Sequence, residues 1–195
     1  MRDGLILKIH QGTDILEVIR PLAHLRMTVF REYPYLYEGS EDYEQAYLTR
    51  YAQQPAALVG TAWYQDTLVG ATTAQPLANE MSAIQAPFLA HDLAVESFLY
   101  LGESLVLQDF RGKGLGHAFF DMREQHAQAL GLSRTTFCAV DRPEGHPLKP
   151  RDYRSNDLFW TKRGYVRQPH VTCQLTWQDV DQSTETQHSL TFWIK

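Results

Sequence analysis

The residues whose types and spacing most directly imply a chemistry are Arg111-Gly112-Lys113-Gly114-Leu115-Gly116, a glycine-rich turn between an apolar stretch and an amphipathic run. A strand that enters such a turn and then a helix exposes several backbone N–H groups at the positive end of a helix dipole, which suits a pyrophosphate. The spacing narrows the ligand. A Walker loop needs Gly-x4-Gly-Lys-Ser/Thr, and here Lys113 is followed by Gly114, with no hydroxyl for magnesium. A dinucleotide fingerprint needs Gly-x-Gly-x-x-Gly, and read from Gly112 and Gly114 the third position is His117. ATP, GTP and NAD are disfavoured, and a phosphorylated cofactor of another kind remains.

A second candidate is Glu103, an acid inside an otherwise apolar strand. Burying a carboxylate is costly unless it is paired or protonated, so Glu103 reads either as a general base or as a carboxylate that faces solvent or bonds a nearby arginine. Strand alternation does not separate the two. The two cysteines, Cys138 and Cys173, make no disulfide scaffold, and Cys138 in Thr135–Val140 fits a small apolar strand residue better than a nucleophile. The eight histidines include no H-x-x-x-H pair and the chain has no CxxC, so no metal site is expected. His126 reads as a core-edge residue and His117, beside the turn, as half-exposed packing.

The elements that must position these residues follow from periodicity. Leu5–His10 predicts a strand; Thr13-Asp14 opens a helix through Ile15, Val18, Ile19, Leu22, Leu25 and Val29, kinked or split at Pro21. The aromatic segment Phe30–Gly39 follows, then a helix from Ser40 to about Gln53 with Tyr43, Tyr47 and Tyr51 on one face. Ala56–Tyr64 and Thr67–Gln75 form a hairpin around Gln65-Asp66, and 78–97 reads as one or two short helices around Pro87. Phe98–Leu107 is the strand into the glycine turn; Leu115, Ala118, Phe119, Met122 and Ala129 mark the next helix, stopped by Gly131. Arg134–Val140 is a strand, 142–156 a proline-rich loop, Asp157–Arg163 a short helix ended by Gly164, and Tyr165–Trp177 and Leu190–Lys195 are closing strands joined by a polar connection.

Gln108 to Gly116, and within it Arg111-x-x-Gly114-x-Gly116, resembles the Gln/Arg-x-x-Gly-x-Gly/Ala signature of the GNAT superfamily of acyl-CoA-dependent N-acyltransferases. A softer match is Leu158 to Tyr165, similar to that family's Leu-Tyr-x-x-x-Gly-Phe helix end, and the element order resembles the fold along nearly the whole chain. The resemblance implies an α/β (α+β) fold with a central mixed sheet of six to seven strands flanked by helices. It implies an enzyme that passes an acetyl group from acetyl-CoA directly to an amine, with a bacterial subgroup as its setting. Arg111, Gly112, Lys113, Gly114, Leu115 and Gly116 would cradle the cofactor's phosphates, and Leu105, Val106 and Leu107 would pair with its pantetheine arm, with a backbone N–H near Val106 facing the thioester oxygen. Glu103 would be the base. The family's acid is a Tyr where this chain has Trp160; Tyr153 and Tyr165 are substitutes, solvent is another proton source, and Trp160 reads as core or a wall of the acyl pocket. The segment with Glu32, Tyr33, Tyr35, Tyr37 and Glu38 would flank the acceptor, where aromatic faces and carboxylates suit a cationic amine, or else close on itself as a packed loop.

The chain has 195 residues, 44% hydrophobic and 21% charged, which fits one domain over 1–195. No run approaches the roughly 18 apolar residues of a membrane helix, and Met1-Arg2-Asp3-Gly4 opens no apolar signal, so cytoplasm is the expected compartment and no membrane partner is expected. A net charge of −5 argues against nucleic acid. The expected partners are a small-molecule or peptide amine and, by family habit, a second copy in a homodimer through the C-terminal strands. A reading from another class is a non-catalytic acyl-CoA-binding sensor or interaction domain, which the Trp160 substitution keeps open.

Overall fold

The computed structural model describes residues 4–195; Met1, Arg2 and Asp3 lie outside the described residues. Eight strands form one mostly antiparallel sheet: β1 Leu5–His10, β2 Leu58–Tyr64, β3 Thr67–Pro76, β4 Phe98–Tyr100, β5 Ser104–Val106, β6 Arg134–Val140, β7 Val166–Gln178 and β8 Glu185–Ile194. Their order is β1-β2-β3-β4-β6-β8-β7, with β5 also pairing β3, and β4–β6 is the parallel pair. The helices are α1 Ile19–Phe30, α2 Glu41–Ala52, α3 Ser82–Ala90, α4 Leu115–Ala129 and α5 Asp157–Lys162.

Side-chain alternation distributes the helices over both faces. Val59 and Ala71 turn to one face and pack with Leu22 and Leu25 of α1 and Leu48 and Tyr51 of α2. Ala62, three positions from Val59, and Val69, the extra residue of a β-bulge opposite Ala62 and Trp63, pack instead with Leu115 and Phe119 of α4 on the opposite face. α5 lies on the α4 side, where Phe159 and Trp160 cover Phe120, Phe137 and Trp193. α3 closes the other half of the sheet through Ile84 and Phe88 against Phe98 and Phe192.

Three sequence expectations need correction. The first helical run is a 3-10 turn, Gly12–Val18, followed by α1, and Pro21 sits in the first turn of α1, where a missing N–H breaks no ladder bond. The last strand starts at Glu185, because its polar half, 185–189, pairs β7 beyond the stretch of β8 that also pairs β6, and main-chain bonds hold it without an apolar pattern. The strand expected over Phe98–Leu107 is two strands, β4 paired with both β3 and β6 and β5 paired with β3, which raises the sheet to eight. Leu101 N–H still donates to Thr136 of β6 (2.8 Å), whereas Gly102 N–H donates to Thr73 of β3 (3.1 Å). The chain thus keeps β3 as its neighbour and leaves β6 after Leu101, and the next residue is a glycine: a Cβ on Gly102 would lie 2.5 Å from Thr73 Oγ1 and 2.8 Å from the Tyr51 hydroxyl. Past this point β5 follows β3 and β6 follows β8, so the sheet opens between β5 and β6.

Candidate active site

The opening is a cleft of about 1270 Å³, lined on one side by Gly102 to Ser104 and Val106, on the other by Phe137 to Asp141, and floored by Phe30 and Tyr35. Among the described residues no strand pairs the cleft edge of β5. Leu107 N–H donates to Val69 across the β3 ladder (2.9 Å), so by the two-residue alternation of a strand the Val106 N–H points the other way, into the cleft.

The glycine turn stands at the same edge. Gly112 and Gly114 adopt φ of 70° and 90°, left-handed values that exclude most side chains, and a Cβ at either would meet nothing within 4 Å. Gly114 is the N-cap of α4 and offers no side chain, and the helix ladder begins with Ala118 donating to Gly114 O (3.1 Å). The N–H groups of Leu115, Gly116 and His117 are therefore presented at the positive end of the helix, beside open space. That donor set fits a pyrophosphate. Buried Leu115 anchors the turn, while Phe159 of α5 lies 3.4 Å from where a Cβ of Gly116 would be and edge-on to the His117 ring at 4.9 Å. Arg111 staples the turn: its Nε donates to Val106 O (2.9 Å) and its Nη1 pairs with Glu32 at 2.7 Å, which joins the cofactor turn to the aromatic segment. Lys113 donates to Asp109 O and sits over the Phe110 ring. The expected pairing of Leu105 and Leu107 with the cofactor arm does not fit: Leu105 pairs Ala71 of β3 with its side chain wholly inside the α1/α2 core, the Leu107 N–H goes to Val69 of β3, and only Val106 of the three lines the cleft.

Glu103 reaches the cleft from within the core. Its Oε1 accepts from Arg26 Nη1 and from the Tyr47 hydroxyl (2.9 Å), and its Oε2 accepts from Thr73 Oγ1. A carboxylate offers about four lone-pair directions, so Oε2 keeps one. Arg123 of α4 donates to the Glu103 backbone carbonyl (3.1 Å) and Ser104 Oγ (2.8 Å); burial lowers that guanidinium to about 10. Burial works against the charge of Arg26 too, yet Glu103, Tyr47 and Glu44 hold it above its ordinary value.

The aromatic segment divides. Tyr33 and Tyr35 line the cleft: Tyr33 meets Tyr153 edge-on at 4.7 Å, and Tyr35 lies 4.7 Å from Phe30. Tyr37 does not line it, because the chain has by then turned away to bridge Asp179 next to β7. Of the two candidate acids, Tyr153 is on the cleft, with its phenol pushed up by burial and by neighbouring Tyr33 and Asp157. The expectation for Tyr165 does not hold: it is 1% exposed, hydrogen-bonded to Thr135 (2.8 Å) and Glu124 (3.1 Å), and wedged between Phe120 and Phe137 on the α4 face. Trp160 lines the cleft and packs on Phe137 and Trp193, as a wall residue should. Cys138 also lines it, but hydrogen bonding to Cys173 and then burial push its thiol well above the ordinary range.

Sequence reasoning missed Arg26, Tyr47 and Thr73, the partners of Glu103, and Glu44, the second acid on Arg26. A signal existed: Arg26 follows Leu22 and Leu25, and Glu44 precedes Tyr47, Leu48 and Tyr51, so both sit on stripes that face the core.

A sheet that splits beside an uncapped, glycine-led helix start defines a protein built to take an extended phosphorylated molecule along a strand edge. The chain belongs to the acetyltransferase (GNAT) family, whose model matches residues 22–148. A search of curated proteins finds no match. Among solved structures, a ribosomal-protein-alanine N-acetyltransferase from Brucella melitensis is similar at 12% identity and a TM-score of 0.62, over 96% of this chain and 98% of that one. An N-acetyltransferase from Staphylococcus aureus Mu50 gives 12% identity and a TM-score of 0.60, over 99% and 98%. PaiA N-acetyltransferase from Thermoplasma acidophilum, in complex with coenzyme A, gives 11% and 0.54, over 97% and 98%. Among the described residues no helix is long and apolar enough to cross a membrane.

Proposed function

We propose that this chain transfers an acetyl group from acetyl-CoA directly to a primary amine of a small molecule or peptide. The observation that carries the reading is the opening between β5 and β6 with the Val106 N–H directed into it and the bare N-terminus of α4 beside it. The N–H groups of Leu115, Gly116 and His117 hold the pyrophosphate, and the free edge of β5 aligns the pantetheine arm. The thioester supplies an acyl group already activated toward amines. Val106 N–H then faces the carbonyl oxygen, where charge develops as the amine attacks.

Glu103 takes the amine proton, directly or through one water, at the free lone pair of Oε2. Tyr153 donates to the departing sulfur; Trp160, which stands where the family has Tyr, has an indole N–H that gives up no proton at neutral pH. The acceptor enters past Tyr33, Tyr35 and Glu32. Cys138 is not an acyl carrier, since a thiol held protonated is a poor nucleophile.

Thiol release from acetyl-CoA across polyamines, amino acids, aminoglycosides and lysine peptides tests the reading. Release with one amine class is expected, with kcat lowered about 100-fold in Glu103→Gln and about ten-fold in Tyr153→Phe at unchanged acetyl-CoA affinity. Full kcat in Glu103→Gln removes it as base. Acetyl-CoA binding without release to any amine favours the sensor reading, which Trp160 supports.

A further inference from the structure

Arg26 projects from α1 into the core and serves two acids: Nε donates to Glu44 Oε2 and Nη1 to Glu103 Oε1. All three side chains are buried, at 8% exposure for Arg26, 0% for Glu44 and 6% for Glu103. Among the described residues Arg26 is the only cation within ion-pair distance of either carboxylate. Two buried anions on one cation is an expensive arrangement, and a neutral residue at position 44 would leave a simple pair that stability alone prefers.

We infer that Glu44, on α2 and outside the cleft lining, is a positioning residue for acyl transfer. It occupies Arg26, so the charge of Glu103 is not cancelled by its own partner and Oε2 stays a proton acceptor at the cleft. The inference rests on the reading of Glu103 as base.

The other groups around Glu103 do not supply this effect. Tyr47 and Tyr51 of α2 are held protonated by burial and by Glu103 itself, so neither brings a charge to the cluster. Thr73 of β3 is a neutral donor. Arg123 of α4 spends its bonds on the Glu103 carbonyl, Ser104 Oγ and Phe119 O. Glu80, just beyond β3, bonds Gln75 at 2.6 Å, and burial pushes its carboxyl up, toward the neutral form. Tyr35 of the aromatic segment is likewise kept neutral by burial. Glu44 alone among these acts on Arg26 through a direct bond.

Carbon-13 NMR of protein labelled at the glutamate carboxyl carbon reads the effect without any acceptor amine. The Glu103 and Glu44 signals are assigned by their loss in Glu103→Gln and Glu44→Gln. Removing a neighbouring like charge favours ionisation, so Glu44→Gln should lower the Glu103 midpoint by about one pH unit, while Glu44→Asp, which keeps the charge, leaves it in place. An unmoved midpoint in Glu44→Gln overturns the inference, and so does an equal shift in both variants, which marks packing in place of charge. Should Glu44→Gln fail to fold, the unmutated protein decides: shared inflections in the two signals, as coupled groups give, support the inference, and a one-step Glu103 curve blind to Glu44 overturns it. Turnover is read separately. Full kcat in Glu103→Gln removes the base, and the inference with it, whereas lost kcat with an unmoved midpoint removes the inference alone.

Discussion

At Gly114 the backbone has φ of 90°, it caps α4, and a Cβ there would enter open space beside three N–H donors. These facts separate local strain from lost binding. Gly114→Ala should cost about 1 kcal/mol of stability for a left-handed alanine, which a denaturation curve reads. Its methyl also narrows the cradle, so acetyl-CoA affinity measured by calorimetry should fall about ten-fold, or about 1.4 kcal/mol. Unchanged affinity would move the pyrophosphate elsewhere. The turn was fully legible in the sequence because its chemistry lies in glycine spacing and backbone. Glu103 was legible only as a question, since an apolar strand announces a buried acid but not its partners. Tyr165 misled because distance along the chain from Gly164 says nothing of which sheet face its hydroxyl takes; it went to Thr135 and Glu124.

Among the elements, the connection after α1 is held by a clamp from the far half of the sheet. Arg142 bonds Asp179 through both carboxylate oxygens (2.7 and 2.8 Å) and donates to Pro34 O (2.7 Å) and Tyr35 O (2.6 Å), with the ion pair 7% exposed on each side. Trp177 Nε1 adds a bond to Tyr35 O at 3.1 Å. The cleft-lining aromatics are therefore set by residues more than one hundred positions away. Asp179→Ala removes the counter-charge of a buried guanidinium and should cost about 3–5 kcal/mol, seen as a lower Tm. Loosening Tyr33 and Tyr35 should also raise the acceptor KM with acetyl-CoA affinity unchanged; equal loss of both would point to general unfolding. Burial alone would raise the Asp179 carboxyl, yet Arg142 holds it below its ordinary value. Its contribution is thus present above about pH 4 and is lost as pH falls through the lowered folded value, so Asp179→Asn should flatten the acid end of the Tm profile. The apolar run Phe98–Leu107 could not reveal its own division, because losing β6 as a neighbour after Leu101 while keeping β3 leaves the hydrophobic pattern unbroken.

Across the whole molecule, the split sheet leaves the two halves joined by β3–β4 and β4–β6 at one end and apart at the other. A ligand that spans the gap adds contacts the open cleft lacks and binds the folded state alone. Acetyl-CoA at about 100 times its Kd should stabilise the protein by about 2.7 kcal/mol, which for a chain of this length is about 5–10 °C in Tm. Adenosine diphosphate tests the cradle without the arm and should give a smaller rise; an equal rise would mean that β5 does not hold pantetheine. Element order and most elements were readable from periodicity, whereas the eighth strand and the Arg142 clamp depend on tertiary pairing that no local pattern encodes.

The most direct test of the account follows the acetyl group itself. Protein mixed with acetyl-CoA labelled at the acetyl carbon, then quenched before and after addition of the amine that supports thiol release, is separated into protein, cosubstrate and amine. Direct transfer predicts no label on the protein before the amine arrives, and label on the amine in step with thiol release afterwards. Label retained on the protein, at Cys138 or elsewhere, or thiol release that leaves every amine unlabelled, would contradict it.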